Sequence, residues 1–247
     1  MRYFAVTSLA KRGGRRRQGN GLGGAVVKAT HALLEQAATD EPEQDPMRKL
    51  HNEIAGILFY GGRVRDYQGY FPGGKGAETL DRDLLIPAVK SLLTNPNGAA
   101  RSTVSALYGY LTEEDLQQLY GDIYRAAKNK APSGVMFSGG VRANGTIVLA
   151  RSRFKEGLPL ALDYLYLEGW GKFARVPAAF EALSNFGAAV KPYLEEMRKR
   201  EYERYVKSRK PGEVKKCQTA WQKILDNIDH DVELRSIAPY LEEEQRR

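Results

Sequence analysis

Residues 175–187 read RVPAAFEALSNFG, and within them Ala179, Ala182, Leu183 and Gly187 stand at offsets of 0, +3, +4 and +8. On a helix the +3 and +4 positions share one face. A small residue there lets a neighbouring helix approach, and the leucine fills the remaining gap. The glycine ends the helix with positive φ and lets the chain turn back. The same offsets recur at Ala5, Ser8, Leu9 and Gly13, and at Ile54, Ile57, Leu58 and Gly62. Thr103, Ala106, Leu107 and Leu111 fit without the glycine, and Thr146, Leu149, Ala150 and Phe154 fit loosely. Any amphipathic helix yields one such match. Several in chain order, each preceded by another helix, point to a repeated helical pair. The anchors at 5, 54, 103, 146 and 179 are 49, 49, 43 and 33 residues apart, a variation that suits loop insertions. Each pair has two apolar faces and needs a neighbour on either side.

The segments between these anchors read as helix almost throughout. Helices are expected over 2–12, 25–39, from Asp45-Pro46 to the Gly61-Gly62 stop, from Asp81 or Asp83 through Leu93, over 99–110, and from Thr112 to about 128. Asp45-Pro46 pairs a capping aspartate with a proline at the first helical position. Thr112 and Asp115 have capping-box spacing. In 25–39 the expected buried stripe is Val26, Ala29, Leu33 and Ala37; in the helix after Asp83 it is Leu85, Val89, Leu92 and Leu93. Six glycines in residues 13–24 cost too much backbone entropy for a helix. Residues 129–145 read as loop, with a small hairpin about Ser138-Gly139-Gly140 as the alternative. Further helices are expected over 146–155, 158–168, 172–186, 188–207, 213–228 and 231–244.

The unit 175–187, with Ala188-Ala189-Val190-Lys191-Pro192-Tyr193-Leu194 after it, resembles a HEAT-repeat second helix, a glycine turn and the next first helix with its internal proline. Leu85-Ile86-Pro87-Ala88-Val89-Lys90-Ser91-Leu92-Leu93 resembles another first helix, and Arg101 stands near the arginine of the following turn. The turn aspartate common in that family is missing between Asn95 and Arg101, and the spacing is irregular. The resemblance covers some 150 residues. It implies an all-α fold, an irregular right-handed α-solenoid of HEAT-like hairpins used as a scaffold. The expected domains are residues 1–210 as the repeat and 211–247 as a C-terminal hairpin or cap. The chain begins in a second helix, which reads as a fragment of a longer protein or a capped end; a cytoplasmic location is expected if it is complete.

Composition narrows the function classes. Of 247 residues, 42% are hydrophobic and 28% charged, the values of a globular chain. One cysteine, Cys217, excludes an internal disulfide and any site built on several thiolates. No run of apolar residues is long enough for a bilayer span. The net charge is +8. Residues 1–75 carry 12 Lys/Arg against 7 Asp/Glu, residues 76–197 carry 13 against 13, and residues 198–247 carry 13 against 10. The excess therefore reads as terminal, in Lys11, Arg12 and Arg15–Arg17 and in a run from Arg198 to Lys210.

No constellation rises to a catalytic motif. GNGLGG at 19–24 and Gly73-Gly74-Lys75-Gly76 lack the frame of a phosphate loop. His31, His51 and His230 match no metal spacing and read as surface or hydrogen-bonded packing residues. No cofactor is expected. Arg15, Arg16, Arg17, Arg204 and Lys207 are the candidate contacts to phosphates or an acidic partner, because guanidinium forks fit phosphate. Tyr67, Tyr70 and Trp170 are the candidate aromatics of a groove, though such loop aromatics equally serve as anchors under the loops. The preferred function is a non-catalytic scaffold that binds a protein or peptide. The first alternative is a nucleic-acid-binding helical repeat using the basic loop and the basic C-terminal helix. The second is a carbohydrate-active helical enzyme, with Asp163 and Glu168 beside Trp170.

Overall fold

The computed structural model describes residues 24–39, 45, 47–61, 69–165, 182–195, 212, 215, 222, 225–228 and 230–242; side chains of 24–26, 163–165 and 242 fall outside that description. The chain divides into two compact units, Met1–Asn144 and Gly145–Arg247. Among the described residues every regular element is helical. The sole extended pairing there is an isolated parallel bridge between Phe154 and Arg235.

The first described element of the first unit is α1, Gly24–Ala38. Leu33 and Ala37 of the expected stripe are buried, joined by Thr30 and Leu34. Helix α2 spans Lys49–Phe59. It starts four residues after Asp45, later than the Asp-Pro signal suggests. The Asp45 carboxylate still caps it, accepting from the main-chain N–H of Lys49 (2.9 Å) and Leu50 (2.7 Å). Arg48 makes the turn between them with a left-handed φ of 50°. After α2, residues 69–71 double back along it: the N–H groups of Gly69, Tyr70 and Phe71 donate to the carbonyls of Tyr60, Ile57 and Leu58.

Helix α3, Arg82–Leu93, is capped by Asp81, whose carboxylate accepts from Asp83 N–H at 3.0 Å. Its expected stripe, Leu85, Val89, Leu92 and Leu93, is buried throughout, and so are Ile86 and Ala88. The buried face is wider than one stripe because α3 lies against both α1 and α4. Pro87 sits on the exposed side of the helix. Asn97 caps α4, Gly98–Ser105, which tightens into a 3-10 segment at Ala106–Tyr110. Helix α1 packs on α3, and α2 packs on α4.

The capping box at Thr112 forms as expected, with Asp115 N–H donating to Thr112 Oγ1 and Thr112 N–H to Asp115 Oδ2. The helix it opens is interrupted, however. Helix α5 is Glu113–Gln117 and α6 is Tyr120–Lys128, separated at Gln118 and Leu119. Neither a loop nor a hairpin fills 135–145. Val135–Phe137 is a 3-10 turn leading into α7, Ser138–Arg151. Local propensity disfavours a helix through Gly139 and Gly140. Tertiary contact overrides it, since Gly140 lies so close to Ser102 that a side chain there would crowd the serine hydroxyl. One turn on, Asn144 Nδ2 donates to Ser105 Oγ at 3.0 Å.

In the second unit α8 runs Gly157–Leu165. Leu158, Ala161, Ala182, Leu183, Phe186, Val190, Leu194 and Ile228 form its core with Ala150. Gly187 has φ 57°, the left-handed turn expected of it, and leads into a 3-10 turn, Gly187–Val190. A side chain there would also strike the carbonyl of His230, which accepts from Ala188 N–H at 2.9 Å. Of the helix expected over 231–244, the described residues show α9, Ala238–Glu242, and 243–244 lie outside them. Residues 231–236 are not helical, because Arg235 exchanges main-chain hydrogen bonds with Arg153 (2.8 Å) and Lys155 (2.9 Å).

Candidate functional site

The N-terminus of α4 and the loop before α7 cross at Gly98 and Gly134. A side chain on either glycine would collide with the other's backbone, so the two chains touch directly. Ser133 ties the loop down, its hydroxyl donating to the carbonyl of Pro96 at 2.8 Å. Around this crossing lies a small surface depression lined by Gly98, Arg101, Lys130, Gly134, Ser138 and Arg142, among others.

Arg101 organises the depression. Its Nε donates to the carbonyl of Asn95 at 2.7 Å, just past the end of α3. Its Nη1 donates to the carbonyl of Asn129 at 3.1 Å, at the end of α6. Carbonyls at helix ends have no partner within their own helix and carry the negative pole of the dipole; the fork meets one such group at Asn129 and a turn carbonyl at Asn95. Burial holds the Arg101 pKa below its ordinary value, and the nearby Tyr108 acts in the opposite direction. Asn95 is fully buried and continues the network. Its side-chain oxygen accepts from Asn97 N–H at 2.7 Å, and its amide donates to the Arg48 carbonyl at 3.1 Å.

Beneath lies Tyr108. Burial pushes its hydroxyl pKa far up, and the Asp122 carboxylate adds to the rise while Arg101 offsets part of it. Asp122 is itself buried and pairs with Arg125 at 3.0 Å. A tyrosine so placed stays protonated at any physiological pH. Arg48 and His51 form a second buried polar pair. Arg48 Nε donates to His51 Nδ1 at 3.1 Å, and Arg48 Nη2 donates to Ser91 Oγ at 3.2 Å. Burial and then the Arg48 charge lower the His51 pKa. His51 is thus a hydrogen-bonded packing residue, as its isolation in the sequence suggests.

Arg15, Arg16, Arg17, Tyr67, Trp170, Glu168, Arg204, Lys207 and Cys217 lie outside the described residues, as does the side chain of Asp163. Tyr70 is described: it is 7% exposed, held by its main-chain bond to Ile57, and anchors the strap along α2. Gly73 and Gly74 close a short 3-10 turn, Pro72–Gly74, and Lys75 and Gly76 link it to the next, Ala77–Thr79. Among the described residues no group of three His, Cys, Asp or Glu side chains is arranged to hold a metal ion, and no helix is long and apolar enough to cross a membrane.

Sequence reasoning passed over the charge of this region. Between Asp122 and Glu156 there is no acidic residue, while Arg125, Lys128, Lys130, Arg142, Arg151, Arg153 and Lys155 all fall there. Averaging over 76–197 hid the run, because acids cluster at its flanks. A shorter window would have found it. No family model, curated protein or solved structure matches the chain.

Proposed function

We propose that the chain is a non-catalytic scaffold of the HEAT-like solenoid type, whose solvent-facing surface holds a protein or peptide partner. The observation that carries the reading is the packing of α1 on α3 and α2 on α4. First helices meet first helices and second helices meet second, which is how a solenoid adds layers. The buried leucines of the repeated offsets, Leu58, Leu107 and Leu183, support it. Polar groups near the depression are spent on joining helix ends, as Arg101 does, which suits a rigid support. Photo-crosslinking tests this reading. A photoreactive residue at exposed Tyr110 or Tyr193 should trap a discrete protein that the unlabelled chain competes away. Failure of competition at both positions overturns it.

A nucleic-acid-binding repeat is the second reading, favoured by the acid-free run 123–155. Phosphate binding by several cations weakens steeply with salt. Mobility shift of duplex DNA at low salt, lost on raising the salt, would support it. No shift at low salt would exclude it.

A further inference from the structure

Val135, Met136 and Phe137 are 65%, 63% and 43% exposed. They are consecutive residues of one 3-10 turn. Such a turn sets successive side chains about 120° apart, so a turn with an ordinary buried face could not leave all three open. The turn is nonetheless well anchored. Gly134 lies on Gly98 and the Ser133 hydroxyl holds Pro96. The Ser138 hydroxyl closes the turn by donating to the Val135 carbonyl at 2.8 Å. A fixed ridge of three large apolar side chains is not needed by the fold, and such exposure marks an interaction site.

The depression beside the ridge carries three cationic residues, of which Lys130 is exposed, Arg142 is buried and Arg101 is bonded to two carbonyls. Gly134 and Ser138, which bracket the ridge, line the depression together with them. Lys130 is exposed, and so is Lys128 two residues before it, whose ammonium lies 5.6 Å from the Tyr124 ring centroid. No acid stands in the chain from 123 to 155.

We propose that this ridge docks on an anionic lipid surface, with Val135, Met136 and Phe137 entering the headgroup–acyl boundary while Lys128 and Lys130 meet lipid phosphates. Charge complementarity argues for an anionic occupant. The apolar ridge selects among anions. A nucleic acid offers stacking to Phe137 but leaves Val135 and Met136 in water. A protein needs a preformed socket that closes on three directions at once. A lipid interface is fluid and surrounds a ridge without one. The surface would lie on the membrane, with no spanning helix involved. The inference stands apart from the scaffold reading and does not depend on it.

The test is co-sedimentation of the full chain with vesicles of phosphatidylcholine containing about 30 mol% phosphatidylserine, the charge that drives such binding. The chain should partition to these vesicles and should bind pure phosphatidylcholine about tenfold more weakly. The combined Val135→Asp, Met136→Asp and Phe137→Asp variant, and separately Lys128→Glu with Lys130→Glu, should each lower partitioning about tenfold. All five positions are exposed, and circular dichroism with thermal unfolding should show both variants folded like the wild type. A fluorophore on Met136→Cys, in a Cys217→Ser background, should shift to the blue on the anionic vesicles. No partitioning of the wild type overturns the proposal. So does equal binding to neutral vesicles, or undiminished binding by the folded aspartate variant. Binding of poly-glutamate or duplex DNA in place of vesicles also overturns it, and assigns the ridge to a protein or a nucleic acid.

Discussion

Arg101 bridges Asn95 and Asn129, its guanidinium donating to both main-chain carbonyls, at 2.7 and 3.1 Å. One carbonyl lies in the turn just after α3 and the other caps α6, so one side chain from α4 ties together the ends of two other helices.

Removing that bridge should loosen the first unit. Arg101→Ala leaves two carbonyls short of a charged donor, at a cost of about 1.5–3 kcal/mol. In a chain of this size the melting temperature should fall roughly 2–4 °C per kcal/mol. Arg101→Lys keeps the charge without the fork and should recover only part of the loss. An unchanged melting temperature for Arg101→Ala would show that the bridge adds nothing.

Gly187 carries two constraints, a left-handed φ of 57° and contact with the His230 carbonyl. Gly187→Ala should therefore destabilise the second unit by more than the roughly 1–2 kcal/mol of the backbone term alone. Urea titration followed by circular dichroism reads the loss. A cost of only a few tenths would mean that the turn relaxes freely.

Asp115 closes the capping box and pairs with Arg82 Nε at 3.2 Å. Thr112→Ala removes one cap, worth about 1 kcal/mol. Asp115→Ala also strips Arg82 of its carboxylate and should cost more than Thr112→Ala. Equal costs, measured by the same titration, would show that the Arg82 pair contributes little.

His51 should make stability depend on pH. Its folded pKa is lowered from 6.5 by burial and by Arg48, partly opposed by the carbonyls of Thr39 and Ala37 and by Asp45. The unfolded chain thus takes up the proton first as pH falls below 6.5. Stability is complete above that value and declines as pH drops toward the lower, folded value. Melting temperatures measured from pH 7.5 down to 5 should show the decline, and His51→Gln should flatten it. A His51→Gln profile identical to the wild type would remove His51 as the cause.

Local signals and the fold agree at several boundaries that one residue suffices to set, though the Asp45-Pro46 signal precedes its helix by a turn. Asp81 caps α3 because its own carboxylate reaches the N–H of Asp83. Thr112 and Asp115 cap each other within four residues. Gly187 adopts positive φ because no side chain hinders it. Buried stripes also follow, since a 3.6-residue period puts Leu85, Val89 and Leu92 on one face whatever covers them. The acid-free run between Asp122 and Glu156 was present in the sequence as well, and only the width of the window concealed it.

Other features were settled by contacts far along the chain. Ser138–Gly145 is helical because Gly140 and Asn144 pack on Ser102 and Ser105 of α4. Residues 231–236 are not helical because Arg235 pairs with the segment about Phe154. The Glu156 carboxylate then accepts from the Ser236 hydroxyl and the Ile237 N–H. The partners of Arg101, and the ridge of Val135–Phe137 beside it, belong to the same class. A sequence by itself determines which backbone groups a residue can satisfy nearby and which face a helix will bury. Tertiary structure alone decides which distant carbonyl an arginine reaches and which apolar side chains are left without cover, because both depend on where the other helices come to rest.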